Sequence, residues 1–279
     1  MIEILKVILF GIVEGITEWL PISSTGHMIL LDEFIKLDVS SEFYSMFQVV
    51  IQLGAILAVV VLFWNDFFPF GRKNNKQPMS TTGILSYVKM DKIILWFKIL
   101  VACVPAAIVG ILFDEQLEAL FYNYQTVAIA LIVFIIIENR NKGSYSKINT
   151  LTDITFNTAF LIGIFQLIAA IFPGTSRSGA TIVGALLLGV SRTVAAEFTF
   201  FLAIPVMFGA SLLKLVKFGL VFTAQEAILL IIGMIVAFVV SILVIQFLMG
   251  YIKKHDFKVF GWYRIVLGIL VLAYFMFIG

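Results

Sequence analysis

Long apolar stretches, separated by short charged segments, dominate the sequence. A helix needs about 20 mostly apolar residues to cross a bilayer, and six stretches reach or approach that length. They lie at about residues 43–64, 93–113, 122–138, 194–216, 225–248 and 262–279. The pattern predicts an all-α integral membrane protein with six transmembrane helices.

Two further apolar regions, 1–36 and 151–191, are each interrupted near the middle by a polar segment that contains a proline. We call EGITEWLPISSTGH (residues 14–27) the first tract and PGTSRSGAT (residues 173–181) the second tract. Irregular backbone at membrane depth is tolerated only where protein or water satisfies its hydrogen bonds. Each region is therefore predicted to be a re-entrant helical hairpin.

The basic residues orient the predicted spans. They concentrate in the loops 65–92, 139–150 and 249–261, which the positive-inside rule places in the cytoplasm. The acidic connection DEQLEAL, which follows the span 93–113, then lies outside. With this orientation the first hairpin enters the membrane from the outside and the second from the cytoplasm.

The two interrupted regions also resemble each other. GIVEGITEWLPISS aligns without gaps on GIFQLIAAIFPGTS. The alignment pairs Glu14 with Gln166, Pro21 with Pro173, Ser23 with Thr175, and Ser24 with Ser176. We expect one membrane domain, 1–279, whose halves 1–138 and 151–279 form an inverted-topology repeat. In such repeats the functional site lies near the midplane, where the halves meet, so the two tracts should face each other.

Composition narrows the chemistry. The chain is 61% hydrophobic and 13% charged, against about 25% charged in soluble domains. A net charge of +2 gives no reason to expect a nucleic-acid partner. With Cys103 as its one cysteine, the chain has no internal disulfide, and a metal would be a hard cation held by oxygen. The first ten residues lack a basic segment and a cleavage site, so we expect them in the mature protein.

Two acidic residues stand in the first tract. Glu14 and Glu18 are four apart and share a helical face. Each carboxylate in a membrane segment costs roughly 2.5–3.5 kcal/mol. A divalent cation, a shared proton or a basic group from elsewhere would compensate. The alternative is that both glutamates are hydrated near the outer interface.

The second tract has the composition of a phosphate cradle. Its arginine offers a fork of donors, its hydroxyls add more, and a helix N-terminus follows. The predicted phosphate-binding residues are Gly174, Thr175, Ser176, Arg177, Ser178 and Thr181, together with Thr25 of the first tract. The alternative is helix capping with an arginine that reaches to the membrane surface.

The first tract ends in a candidate nucleophile. Ser24 and His27 could form a nucleophile and base pair, although direct attack by water, or by His27 itself, stays open. Outside the tracts, Gln52, Lys98, Glu197 and His255 are interpreted as structural or loop residues.

At these two tracts the sequence resembles the undecaprenyl-pyrophosphate phosphatase family of the bacitracin-resistance type. The segments FQVVIQLGAILAVVVLFW and AAEFTFFLAIPVMFGAS are also similar to spans of that family. The resemblance implies removal of the terminal phosphate from a membrane-embedded polyprenyl diphosphate, the C55 lipid carrier. It also implies recycling of this carrier for peptidoglycan synthesis, and bacitracin resistance.

The resemblance further implies a divalent cation, Mg²⁺ or Ca²⁺, and a bacterial cytoplasmic membrane with the site open to the outer face. Its acidic pair maps to Glu14 and Glu18, and its serine and histidine map to Ser24 and His27. Its arginine cluster maps to Ser176, Arg177, Ser178 and Thr181. The lipid bilayer is an expected partner, and a homodimer is a further hypothesis. The inverted repeat alone would favour a lipid transporter or flippase.

Overall fold

The chain is all-helical in the computed structural model, which describes residues 1–71, 75, 77–121, 146–172, 174–219 and 221–277. Within these ranges the β structure is limited to isolated bridges. The predicted span 122–138 and most of the loop 139–150 lie outside the described residues.

The helices follow the apolar segments. In the first half they are α1 (Ile2–Thr17), α2 (Ser24–Phe34), α3 (Ser41–Val50), α4 (Gln52–Leu62), α5 (Trp64–Phe67) and α6 (Met90–Phe121). In the second half they are α7 (Phe156–Ile171), α8 (Arg177–Leu187), α9 (Arg192–Phe218), α10 (Ala224–Ile252) and α11 (Lys258–Phe277). Short 3₁₀ helices occupy Ile84–Tyr87 and Leu151–Asp153.

Four segments of the described chain are long and apolar enough to cross a membrane. They are Ser41–Leu62, Met90–Gly110, Arg192–Phe218 and Ala224–Ile252, with mean hydropathies from 1.9 to 3.4. Each coincides with a predicted span, and the predicted span 262–279 is helical as far as Phe277. The protein is therefore a multi-pass membrane protein.

Both interrupted regions form the same unit, which is a long helix, a short break and a shorter helix. In each unit the first helix has 16 residues and the second has 11. The breaks coincide with the polar tracts, because hydroxyl, proline and glycine residues favour turns and caps over helix interiors. The polar tracts thus end up at helix ends.

Glycines let the first helix of each unit pack closely on a long neighbour. A Cβ atom on Gly11 of α1 would lie 2.9 Å from the carbonyl oxygen of Gly233 in α10. A Cβ atom on Gly163 of α7 would collide with the carbonyl of Ala102 in α6. Small residues allow such close helix contacts in membranes. These two glycines are equivalent in the sequence alignment, so the two units use the same packing device.

Candidate functional site

Each break ends in a serine that caps the following helix. Ser23 has φ 72° and its side chain accepts a hydrogen bond from the Gly26 N–H. Ser176 has φ 69° and accepts from the Gly179 N–H in the same way. Positive φ is uncommon for residues other than glycine, and it is found where the surroundings enforce it.

These caps correct the alignment of the two tracts by one residue. The gapless alignment pairs Ser24 with Ser176, whereas the structure makes Ser23 the counterpart of Ser176. The alignment does hold in the preceding helices, where Glu14 and Gln166 are both buried. From the aligned pair Glu14 and Gln166 to the capping serine, the second unit is therefore one residue longer, which the gapless alignment did not reveal.

The correction makes Ser24 the counterpart of Arg177, and both side chains bind one carboxylate. The Ser24 hydroxyl donates to Glu18 Oε2 at 2.7 Å. Arg177 Nη2 donates to Glu18 Oε1 at 2.6 Å, with the two side chains 16% and 7% exposed. Because Ser24 and Arg177 are the first residues of α2 and α8, two helix N-termini converge on Glu18.

A second link joins the tracts through Ser178. Its hydroxyl lies 3.2 Å from the Glu18 carbonyl oxygen and 3.4 Å from that of Leu20, both of which can only accept. It also lies 3.2 Å from the Ser176 hydroxyl. The two tracts are therefore in direct contact, as predicted from the repeat.

A cavity of about 160 Å³ opens at this junction. Its polar lining comprises Glu18, Ser23, Ser24, Thr25, Gln52, Gly174, Ser176, Arg177 and Ser178. Its apolar lining comprises Ala169, Val206, Met207 and Ala210. Of the predicted phosphate-binding residues, those that line this cavity are Thr25, Gly174, Ser176, Arg177 and Ser178. Gln52, interpreted as a structural residue, also lines the cavity.

The burial of the charged residues excludes the simpler alternatives. Glu14 and Glu18 are 1% and 6% exposed, so they are not hydrated interface residues. Arg177 does not reach to the membrane surface, since it is paired with Glu18 and its Nη1 atom is buried without a hydrogen-bond partner. Of the three expected compensating groups, the described residues supply the basic one. Within the described residues, Nη1 of Arg177 remains a donor without an acceptor.

The acidic pair does not form a ready-made metal site. In the described part of the chain, no group of three or more His, Cys, Asp or Glu side chains could hold an ion. Both Glu18 oxygens are engaged, whereas Glu14 Oε1 is buried without a partner. Mg²⁺ is commonly held by one or two carboxylates together with substrate phosphates and water. Glu14 has one free oxygen of this kind, although Glu14 is not among the residues that line the cavity.

The structure does not join Ser24 and His27 by a hydrogen bond. His27 Nδ1 lies 2.7 Å from the Ser23 carbonyl oxygen, and Nε2 lies 2.6 Å from the Tyr263 hydroxyl. A carbonyl only accepts, so Nδ1 carries a proton in this contact. Both ring nitrogens are thus engaged, and the acceptor of the Ser24 proton is Glu18.

Two predicted phosphate-binding residues do not line the cavity. Thr181 is 1% exposed, and its hydroxyl faces the carbonyls of Arg177 (2.9 Å) and Ser178 (3.2 Å) within its own helix. Thr175 is 2% exposed, and its carbonyl oxygen accepts a hydrogen bond from Arg264. A hydroxyl near a helix start commonly bonds local backbone instead of a ligand, as the hydroxyl of Thr181 does.

Sequence reasoning missed Tyr263 and Arg264, which are consecutive residues of α11 that contact the two tracts. Arg264 is 0% exposed, although its side chain is one of the largest in the described core. The available signal was an arginine within the predicted span 262–279, because ionisable residues inside membrane segments are costly and mark functional positions.

Comparisons with known proteins show the family to which this chain belongs. The sequence matches the family described as bacitracin resistance protein BacA over residues 7–270. It is 66% identical to an undecaprenyl-diphosphatase of Desulfitobacterium hafniense, covering 99% of this chain and 97% of that protein. It is 64% identical to undecaprenyl-diphosphatase 1 of Clostridium acetobutylicum, covering 99% and 98%. The match to an Enterococcus faecalis undecaprenyl-diphosphatase is also 64%, covering 97% and 96%. The chain therefore belongs to the bacitracin resistance protein BacA family.

Proposed function

We propose that this protein hydrolyses undecaprenyl diphosphate to undecaprenyl phosphate and inorganic phosphate. This reaction recycles the lipid carrier for cell-wall synthesis and gives bacitracin resistance. The relatives named undecaprenyl-diphosphatase support it, and their names give no support to a transporter.

The mixed polar and apolar lining of the cavity is the observation that carries the proposal. The polar part includes Arg177 and the starts of two helices, which attract an anion. The apolar part includes Val206, Met207 and Ala210 of α9, of which Ala210 is exposed. A diphosphate therefore fits the polar end, while its prenyl chain leaves along the apolar side of α9.

The proposed nucleophile is Ser24. Its proton passes to Glu18 Oε2, the Ser24 oxygen bonds to the terminal phosphorus, and the bond from that phosphorus to the bridging oxygen breaks. Undecaprenyl phosphate leaves and takes the proton from Glu18, which restores the carboxylate. Water then attacks the phosphoserine and gives its proton to Glu18, which passes it to the Ser24 oxygen as the bond from phosphorus to that oxygen breaks and inorganic phosphate leaves. His27 serves as a positioning residue, because it holds the carbonyl of Ser23 next to the nucleophile.

Proton transfer to Glu18 also changes Arg177. A neutral carboxyl group attracts a guanidinium less than a carboxylate does, so Nη2 is released from Glu18 as the reaction begins. Nη2 then joins the free Nη1 in binding the transferring phosphoryl group. Arg177 therefore binds the phosphoryl group most strongly in the transition state, when negative charge develops on its oxygens, and such binding accelerates the reaction.

The proposed cofactor is a divalent cation, Mg²⁺ or Ca²⁺. The free carboxylate oxygen of Glu14 would hold it, and Glu18 could join only by giving up its present partners. Such a cation neutralises phosphate charge when bound. Glu14 and Glu18 lie within interaction distance of each other, so their mutual repulsion also favours a bound cation or proton.

The proposed membrane arrangement follows the sequence. The chain is one domain with six spans, and the two helix–break–helix units are re-entrant hairpins that enter from opposite sides of the bacterial cytoplasmic membrane. The site then opens to the outer face. The matching lengths and glycine contacts of the two units support an inverted repeat. A homodimer stays a prediction.

A phosphate-release assay tests the proposed function. Purified protein in detergent, with no membrane potential and no second compartment, should release inorganic phosphate from undecaprenyl diphosphate, and a chelator should reduce the rate. A transporter would release none. A quench experiment with a substrate labelled in the terminal phosphate tests the nucleophile, because label should appear on wild-type protein but not on Ser24→Ala. Turnover without any labelled protein would favour attack by water.

A further inference from the structure

Two neighbouring residues of α11 reach the two tracts from one side. Tyr263 contacts His27, which follows the first break, while Arg264 contacts the second break. In sequence these contacts span 236 and 89 residues. Consecutive residues of one short segment are thus bonded to both halves of the site.

Arg264 is bonded directly to the backbone before the second cap. Its Nη2 donates to the Thr175 carbonyl at 2.7 Å and lies 3.5 Å from that of Gly174. The next residue, Ser176, is the one held at positive φ. A Cβ atom on Gly179 would lie 3.1 Å from Arg264 Nη1, so the guanidinium also packs on the first turn of α8.

Tyr263 is bonded to the first cap through His27. The Tyr263 hydroxyl is 2.6 Å from His27 Nε2, and the two rings are parallel, with centroids 5.6 Å apart. Nδ1 of the same imidazole holds the carbonyl of Ser23, the other serine at positive φ. Residues of α11 thus hold a backbone carbonyl at each strained serine. At the first cap it is the carbonyl of Ser23 itself, held through His27, and at the second cap it is the carbonyl of Thr175, which precedes Ser176.

We infer that Tyr263 and Arg264 are positioning residues for phosphoryl transfer. They hold Ser23 and Ser176 in the left-handed conformation that presents Ser24 and Arg177 to the same phosphate. This inference rests on the proposed function. It adds that α11, which contributes no residue to the cavity lining, sets the geometry of the nucleophile and of the arginine.

The physical reason is the strain at the two serines. A residue with a Cβ atom at positive φ relaxes unless its neighbours prevent it. Without its side-chain donor the Ser23 carbonyl keeps only a 3.4 Å contact with the His27 N–H, and the Thr175 carbonyl loses Arg264. Either peptide can then rotate and displace the first residue of the following helix. A displacement of about 1 Å at a reacting group is worth on the order of 100-fold in rate.

The first test compares Arg264→Lys and Arg264→Met with the control Arg192→Lys. Arg192 is an exposed arginine that also faces a backbone carbonyl, that of His255, away from the cavity. For each purified protein the measurements are kcat and KM, the inhibition constant of inorganic pyrophosphate, and the melting temperature. Rates are expressed per folded protein, as judged by gel filtration.

We expect kcat/KM to fall on the order of 100-fold in Arg264→Met and less in Arg264→Lys, which keeps one donor for the Thr175 carbonyl. Pyrophosphate should inhibit both more weakly, because the phosphate-binding backbone is misplaced. If Arg264→Met does not fold, Arg264→Lys decides. Native kcat/KM and native pyrophosphate inhibition in the folded fraction would overturn the role of Arg264.

The second test asks whether Tyr263 acts through His27. Tyr263→Phe keeps the ring and removes the hydroxyl, and Tyr251→Phe is the control, since Tyr251 stacks on His255 away from the cavity. Loss of one hydrogen bond predicts about a 3- to 10-fold lower kcat with little change in melting temperature. In a His27→Ala background the same substitution should have no further effect. An equal loss in both backgrounds, or no loss in either, would refute the coupling.

The wild-type protein separates this inference from the function on which it rests. If wild-type protein releases no phosphate, the proposed function fails. If wild-type and both control variants are active while the Tyr263 and Arg264 variants match them, the function stands and the positioning role is wrong.

Discussion

Replacing Glu18 with glutamine separates two effects that the structure assigns to one carboxylate. Glu18 accepts the Ser24 proton in the proposed reaction, and it also holds Arg177 Nη2 in the free protein. Glutamine has nearly the same shape, but its amide cannot act as a base. The substitution should therefore slow the reaction while it loosens Arg177 for an added anion.

The structure sets the size of both effects. Loss of a general base predicts a kcat lower by about 10²- to 10⁴-fold. Breaking a buried ion pair costs about 3–5 kcal/mol, and these side chains are only 16% and 7% exposed. Because the amide oxygen can still accept a hydrogen bond from the Arg177 guanidinium, part of this cost is recovered, and we expect a stability loss of about 2 kcal/mol. The weaker hold on Arg177 should tighten pyrophosphate binding by about fivefold, which corresponds to about 1 kcal/mol.

The assay measures phosphate release and pyrophosphate binding on the same detergent-purified sample. Glu197→Gln is the matched control, because Glu197 is a partly buried glutamate of α9 outside the cavity, and it should keep native turnover and binding. Slow turnover together with weaker pyrophosphate binding would show that Glu18 does not compete with the anion for Arg177. Native turnover would refute its role as base.

Three further predictions address the arginine, the cation and the topology. An arginine at a transferring phosphoryl group contributes ~10³–10⁵-fold to the rate. Arg177→Lys should lower turnover nearly as much as Arg177→Ala does, because a point charge cannot replace the guanidinium fork; near-native turnover of folded Arg177→Lys would contradict this. Glu14→Gln should weaken the apparent Mg²⁺ affinity and regain activity at high Mg²⁺, whereas a loss of kcat at every Mg²⁺ concentration would assign it to proton transfer. In a background without Cys103, cysteines in the loop 65–92 should be shielded from an impermeant thiol reagent in intact cells, while those near Glu115 should react; the reverse pattern would invert the proposed orientation.

The sequence by itself determined where helices form and where they break. Apolar stretches of membrane length, and tracts of serine, glycine and proline between them, act through local preferences that need no tertiary contact. The sequence also identified the acidic pair and Arg177 as candidates, because charged side chains inside apolar segments are costly wherever they lie.

Only the tertiary structure decided which of these groups meet. Arg177 and Glu18 are 159 residues apart, and no local pattern states that they form an ion pair or that Ser24 donates to the same carboxylate. The same holds for His27, whose bond to Tyr263 replaced the predicted bond to Ser24. Each donor takes the partner that helix packing places within reach. That packing depends on contacts such as Gly11 against α10, which join segments far apart in the chain.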